Sequence, residues 1–245
     1  MEKRLIIAEK PSVAGDIARA IGGFTRHKEY YESAQYVLSY AVGHLLELSA
    51  PEEFDPKRGR WSFRHLPVIP PRFDLRPINS KSAAQLNVLL KLMRRKDVAG
   101  LINACDAGRE GELIFRYIVQ HSELKKPIER LWLQSMTPAA IREGFEKLRT
   151  DRQMRPLADA AKSRSEADWL IGINGTRAMT AFNSKEGGFY LTTVGRVQTP
   201  TLAILVDREE RIRAFKPRDY WEVHARFGAQ AGEYSGRWFD PAFAK

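Results

Sequence analysis

The sequence predicts an α/β fold with its functional edge at the ends of two strands. Three observations carry this. Arg4–Ala8 and Ala99–Cys105 are short apolar or small-residue runs fit for buried strands, and each breaks into an acid-bearing turn before a helical pattern. Strand-like and helix-like segments alternate up to about residue 150. Helical patterns alone follow, until a new alternating run near the end starts a β segment.

In chain order, Arg4–Ala8 ends at Glu9-Lys10-Pro11-Ser12, and Ser12 is expected to cap a helix carrying Val13, Ile17 and Ile21 on one face, closed by Gly22-Gly23. Within Tyr30–Ala50, Tyr36–Val42 reads as a strand followed by a turn at Gly43-His44, with His44 a structural histidine. Pro51–Pro77 is proline-rich and breaks regular structure. Its Trp61, Phe63 and Phe73, interleaved with Arg58, Arg60, Arg64 and Arg72, could stack bases, but the favoured expectation is a long loop whose aromatics wedge into the core. Ser82–Arg95 predicts a helix with Leu86, Leu89, Leu90 and Met93 inward. Ile128–Leu133 predicts a strand, and Thr137 caps a helix begun by Pro138. A long helix is expected over Leu157–Met179, placing Arg164 and Asp168 on one face. The turn Tyr190–Pro200 leads into a helix capped by Thr199 and running to Ile212. It reads either as an anion site built from Arg196, Gln198 and backbone N–H groups or as an ordinary capped entry. Tyr220–Phe227 predicts a strand.

The acids set the candidate chemistry. If the first strand and the Ala99–Cys105 strand are parallel neighbours, Glu9 meets Asp106 and Glu110 at the carboxyl edge, where open α/β sheets bind ligands. Oxygen-rich turns of this kind are what Mg²⁺ requires.

The 245 residues carry 40 Lys and Arg against 30 Asp and Glu, a net +10 that favours a polyanionic partner, nucleic acid first. With 43% hydrophobic residues the chain can build a core, which excludes global disorder. Cys105 is the single cysteine, so an intrachain disulfide and a cysteine-based zinc site are excluded. No apolar run approaches the roughly 18 residues of a membrane span; the expectation is a soluble cytoplasmic protein with no membrane association and no obligate protein partner evident.

Ile7-Ala8-Glu9-Lys10-Pro11-Ser12, Asp106-Ala107-Gly108-Arg109-Glu110-Gly111-Glu112 and Val194-Gly195-Arg196-Val197-Gln198-Thr199-Pro200 together resemble type IA DNA topoisomerases, the topoisomerase III branch most closely. Gly43-His44-Leu45, the Trp61–Pro70 segment and Arg164 with Asp168-Trp169-Leu170-Ile171-Gly172 fit as well, so the resemblance runs from about residue 4 to 226. It implies a Rossmann-like Toprim domain over 1–150, a helical DNA-binding segment over 151–214 and the start of an incomplete β (arch) domain over 215–245. It also implies strand cleavage by a tyrosine, passage of another strand and religation. Glu9 and Lys10 would then be catalytic, Glu9, Asp106 and Glu110 would hold Mg²⁺, and Arg164, Asp168, Arg196 and Gln198 would position single-stranded DNA. Two departures stand out. Gly108 occupies the second position of the commoner Asp-x-Asp-x-Glu motif, with Glu112 a possible substitute through water. None of the eight tyrosines is followed two residues on by arginine, as the family's nucleophile is, so the chain reads as a fragment. The alternatives are a self-sufficient Toprim nuclease or primase-like enzyme, and an inactive DNA-binding accessory module.

Overall fold

A computed structural model describes residues 2–55 and 61–240. Arg58 and Arg60 lie outside the described residues. In order, the elements are β1 (Lys3–Ala8), α1 (Pro11–Ile21), β2 (Thr25–Arg26), β3 (Tyr31–Glu32), β4 (Tyr36–Tyr40), β5 (Leu46–Leu48), α2 (Pro51–Phe54), β6 (Leu75–Pro77), α3 (Ser80–Met93), β7 (Val98–Ala104), α4 (Arg109–Ser122), β8 (Ile128–Arg130), α5 (Pro138–Glu146), β9 (Arg149–Thr150), α6 (Asp151–Asn183), α7 (Gln198–Arg213), β10 (His224–Ala229) and β11 (Gly232–Arg237). The chain divides into two compact units, Met1–Arg196 and Val197–Lys245.

The first unit is built on a seven-stranded sheet of order β2-β3-β4-β1-β7-β8-β9. β1 is its centre, parallel to β4 on one side and to β7 on the other, with Ile7 opposite Asn103 and Ala8 opposite Ala104. β8 continues the parallel run beyond β7. Successive residues of a strand face opposite sides, and β1 divides accordingly. Leu5 and Ile7 pack with the inner faces of α3 and α4, while Ile6 and Ala8 pack with Ala14 and Ile17 of α1 and Ile141 of α5. Leu5–Ala8 are fully buried on both faces, which explains why this run is continuously apolar rather than alternating. Each of the three large side chains stabilises the fold by about 1.5–3 kcal/mol on burial. The result is helices on both faces of a mixed sheet whose four central strands, β4, β1, β7 and β8, are parallel.

Several boundaries move from their sequence expectation for local reasons. α1 starts at Pro11, with Lys10 at the cap position and no side-chain cap, so Ser12 is inside the helix; the fixed φ of proline suits the first helical residue. β8 stops at Arg130, shorter than Ile128–Leu133. α6 begins at Asp151, well before Leu157, because Thr150 and Gln153 form a reciprocal capping box. Pro51–Pro77 contains α2, a 3-10 turn at Phe63–His65 and β6. Its aromatics do not all enter the core: Trp61 and Phe63 are exposed, whereas Phe73 packs edge-on against Trp169 at 5.7 Å.

In the second unit, α7 begins at Gln198 with Val197 at the cap position, so Thr199 lies inside the helix. The run expected over Tyr220–Phe227 forms a strand only from His224, and β10 pairs with β11 as a hairpin rather than standing alone. Among the described residues, no helix is long and apolar enough to cross a membrane.

Candidate functional site

β1 and β7 run side by side and stop together, so the residues just beyond them share one edge of the sheet. Glu9 follows β1 and is buried, and the Asp106 backbone N–H donates to Glu9 Oε2 at 3.4 Å. Lys10 Nζ stands 3.2 Å from Glu9 Oε1. The two carboxyl groups titrate against each other. For Glu9, burial opposes ionisation, but hydrogen bonds from Asp106 and Lys10 outweigh it and hold the carboxyl below its usual range. For Asp106, burial together with the neighbouring Glu9 pushes the carboxyl up. Lys10 is raised by its contact with Glu9 and stays protonated. The three side chains thus form an acid pair that disfavours two full negative charges, beside one fixed cation. A cavity of about 400 Å³ lies next to Asp106, lined in part by Val13, Ala107, Leu133 and Met136.

The turn that carries Asp106 is clamped from beneath. Arg130, at the end of β8, is fully buried and donates through Nη1 to the carbonyls of Asn103 (3.1 Å) and Cys105 (2.7 Å) and to Asn103 Oδ1 (2.9 Å), and through Nη2 to the Asp106 carbonyl (2.5 Å). Its charge is balanced by buried Glu112, whose Oε2 is 3.4 Å from Arg130 Nε and accepts from Asn103 Nδ2 at 3.0 Å, while Oε1 accepts from Arg116 Nε at 2.8 Å. Glu112 therefore serves the interior and offers no oxygen to a metal at the edge. From above, the first turn of α4 presses on the same backbone: a Cβ at Gly111 would stand 2.1 Å from the Asp106 carbonyl oxygen. Burial pushes the Cys105 thiol up to about 12, so this residue packs rather than reacts.

Glu110 goes elsewhere. Its Oε2 contacts His44 Nε2 at 3.2 Å, so the histidine read as structural touches one of the candidate acids. Among the described residues no group of three or more His, Cys, Asp or Glu stands at metal-holding spacing. The expected set of Glu9, Asp106 and Glu110 is thus gathered only in its first two members. Those two suffice for a magnesium ion, which commonly uses one or two carboxylates and completes its shell with water and substrate phosphate.

A second cluster lies on α6. Asp168 Oδ1 accepts from Arg196 Nη1 at 2.9 Å, and Asp168 Oδ2 is 3.7 Å from Arg164 Nε. All three side chains are partly exposed. Arg196 reaches Asp168 because the segment before it is stitched to the helix. The backbone N–H groups of Thr192 and Val194 donate to the hydroxyls of Thr180 and Thr176, each at 3.0 Å, and Val194 fills the space left by Gly175, where a Cβ would stand 2.8 Å from its Cγ1. Gln198, the fourth expected DNA contact, opens α7 in the second compact unit.

Sequence reasoning missed Arg130, Asn103 and Gly111. The available signal was a charged residue inside an apolar strand run, which in a buried strand demands a buried partner.

The Toprim domain profile matches residues 4–136, and a DNA topoisomerase profile matches 152–243. The chain belongs to the Toprim domain family. Among its relatives is DNA topoisomerase 3 of Shouchella clausii, 43% identical over 223 residues, which cover 91% of this chain and 30% of that protein. DNA topoisomerase 3 of Bacillus subtilis is 42% identical over 226 residues, 92% of this chain and 30% of that protein. The chain thus spans about 30% of the length of these relatives. In fold it is similar to the full-length topoisomerase I of Thermotoga maritima, with a TM-score of 0.56 and 20% identity over 91% of this chain and 32% of that one.

Proposed function

We propose that this chain is the N-terminal part of a type IA DNA topoisomerase, acting in the cytoplasm, that holds single-stranded DNA and Mg²⁺ for cleavage, passage and religation by a longer protein. In this reading residues 1–150 are the Toprim unit, 151–214 the helical DNA-binding segment and 215–245 the start of the arch. The observation that carries it is the meeting of Glu9, Lys10 and Asp106 at the ends of two adjacent parallel strands, in a chain whose relatives bear the name DNA topoisomerase 3.

Lys10 Nζ would either stabilise charge on the scissile phosphate or supply a proton there. The Glu9 carboxyl would take or return the proton of the strand's 3′ oxygen. Glu9 and Asp106 would hold Mg²⁺, with Glu110 joining them on leaving His44; when bound, the ion supplies charge neutralisation at the phosphate during resealing. Arg164 and Arg196, oriented by Asp168, grip the strand backbone, and Gln198 adds a polar contact from α7.

The test has two arms. The purified chain is expected to bind single-stranded oligonucleotides with an affinity that falls with salt, and to bind Mg²⁺ in a manner weakened by Asp106→Asn. It is expected not to relax supercoiled plasmid. Metal-dependent nicking by the chain alone, abolished by Asp106→Ala, would establish the self-sufficient nuclease instead.

A further inference from the structure

Outside the acid edge and the Asp168 cluster, the first unit displays a cluster of exposed aromatic rings. Trp61 is 38% exposed, Phe63 51%, Phe182 54%, Phe189 65% and Tyr190 62%. Large aromatics left open to water are costly, since each would otherwise bury up to 150–250 Å². Two of these rings touch and two more share a lysine, across the sequence. Trp61 meets Phe189 with centroids 5.4 Å apart, and Lys185 Nζ lies 4.2 Å from the Phe182 ring and 5.7 Å from that of Phe63. Trp61 is braced from behind by Arg177, whose guanidinium lies 5.4 Å from its ring and is itself fixed by Glu52 at 2.6 Å. Tyr190 folds over Gly188, where a Cβ would stand 3.0 Å from its ring. The rings are therefore held in place at the surface, partly exposed, with a cation among them.

We propose that this cluster is a stacking platform for the unpaired bases of a single DNA strand, extending the grip of the Asp168 cluster along α6. The inference rests on the single-strand reading above. Aromatic faces beside cations bind unpaired bases without regard to sequence, and a chain of net charge +10 attracts the phosphates. The geometry supplies the track: the segment from Tyr190 to Arg196 returns along α6 through its bonds to Thr180 and Thr176, linking the rings to the Arg196–Asp168 pair. About 21 Å of helix separates Asp168 from Phe182, a length that several nucleotides occupy.

The experiment compares two probes, an oligothymidine and an abasic strand of the same length, on the whole chain and on Trp61→Ala/Phe189→Ala. Loss of one good stack lowers affinity about tenfold. The double variant is expected to bind oligothymidine about tenfold more weakly, to bind the abasic strand as the unaltered chain does, and to regain affinity as Trp61→Phe/Phe189→Tyr. Unchanged affinity for oligothymidine in the alanine variant overturns the platform while leaving strand binding intact. An equal loss on both strands, or no recovery in the conservative variant, overturns stacking as the cause. A chain that binds neither probe removes the single-strand reading itself. Self-association that the alanine variant abolishes, seen by sedimentation, assigns the surface to a second copy instead.

Discussion

Arg130 and Glu112 form an ion pair with almost no access to water, Nε to Oε2 at 3.4 Å, directly beneath the turn that carries Asp106. Removing Arg130 leaves Glu112 with Arg116 alone as counter-charge, at 2.8 Å, and strips the Cys105 and Asp106 carbonyls of their buried donor, which costs about 1–3 kcal/mol. Arg130→Met is therefore expected to lower the unfolding free energy by about that much in a urea titration. Arg130→Met/Glu112→Leu is expected to recover much of it, since apolar replacement of a whole buried pair is often neutral. Mg²⁺ affinity is expected to stay low in the double variant, because the Cys105 and Asp106 carbonyls still lack the donor that sets the turn. Full recovery of metal affinity together with stability would show that the clamp has no bearing on the edge.

Gly108 and Gly111 flank the start of α4 with opposite constraints. Gly108 is extended (φ 173°), with nothing within 4 Å of a built Cβ, and it occupies the N-cap position. Gly108→Asp is accommodated and adds a favoured capping residue, raising stability by about a few tenths of a kcal/mol. It also adds a carboxylate beside Asp106 and is expected to tighten Mg²⁺ binding severalfold by calorimetry. An unchanged affinity would remove this position from the metal's surroundings.

Gly111→Ala is expected to act in the reverse sense. Its methyl group would overlap the Asp106 backbone, at 2.1 Å from the carbonyl oxygen, and neither strand end nor helix start has slack to yield. Thermal denaturation should show a loss of several degrees, consistent with about 1–3 kcal/mol for overpacking. An unaltered midpoint would mean that the turn adjusts freely.

The parts of this molecule legible in the sequence were those set by local pattern. The apolar runs of β1 and β7 announced buried strands, and Thr137-Pro138 marked the start of α5, where the Thr137 hydroxyl accepts from the Ala140 N–H. What was not legible depended on distant partners. Nothing near Glu110 in sequence points to His44, 66 residues away, and the inward turn of Glu112 depends on Arg130 arriving from β8. Trp61 and Phe63 resemble core aromatics by residue type alone. In the structure Trp61 meets Phe189 and Phe63 meets Lys185, partners distant in sequence that local pattern does not encode.

A charge network at the opposite end of β1 governs acid stability. Glu32 accepts from Arg95 and Lys3, and Arg95 also holds Asp97. Hydrogen bonding from Arg95 draws Glu32 from 4.5 to about 2 and Asp97 from 3.8 to about 2. Both folded values are depressed, so the unfolded chain binds more protons at low pH. The stabilisation is whole above about pH 4.5 and is lost as the pH falls towards 2. Arg95→Ala is expected to flatten the pH dependence of the denaturation midpoint in that window and to return Glu32 towards 4.5 in a carboxyl NMR titration. A depressed Glu32 in that variant would shift the credit to Lys3.

Asp168 holds two arginines, Arg196 at 2.9 Å and Arg164 at 3.7 Å, and the two roles open to such a cluster give different salt responses. If the arginines meet phosphates, each contact releases counterions, and removing one lowers the slope of log affinity against log salt by about 0.7 for a single strand. Arg196→Ala is then expected to weaken binding and to reduce the slope by about that amount. Asp168→Asn removes a negative charge without removing a cation, so it is expected to keep the full slope and to bind at least as tightly at low salt. If the cluster only braces the loop against α6, both substitutions disturb the same support and weaken binding alike, with the slope unchanged. Salt titrations of the two variants against one oligonucleotide therefore separate a phosphate grip from a structural tie, by the sign of the Asp168 effect as well as by the slope.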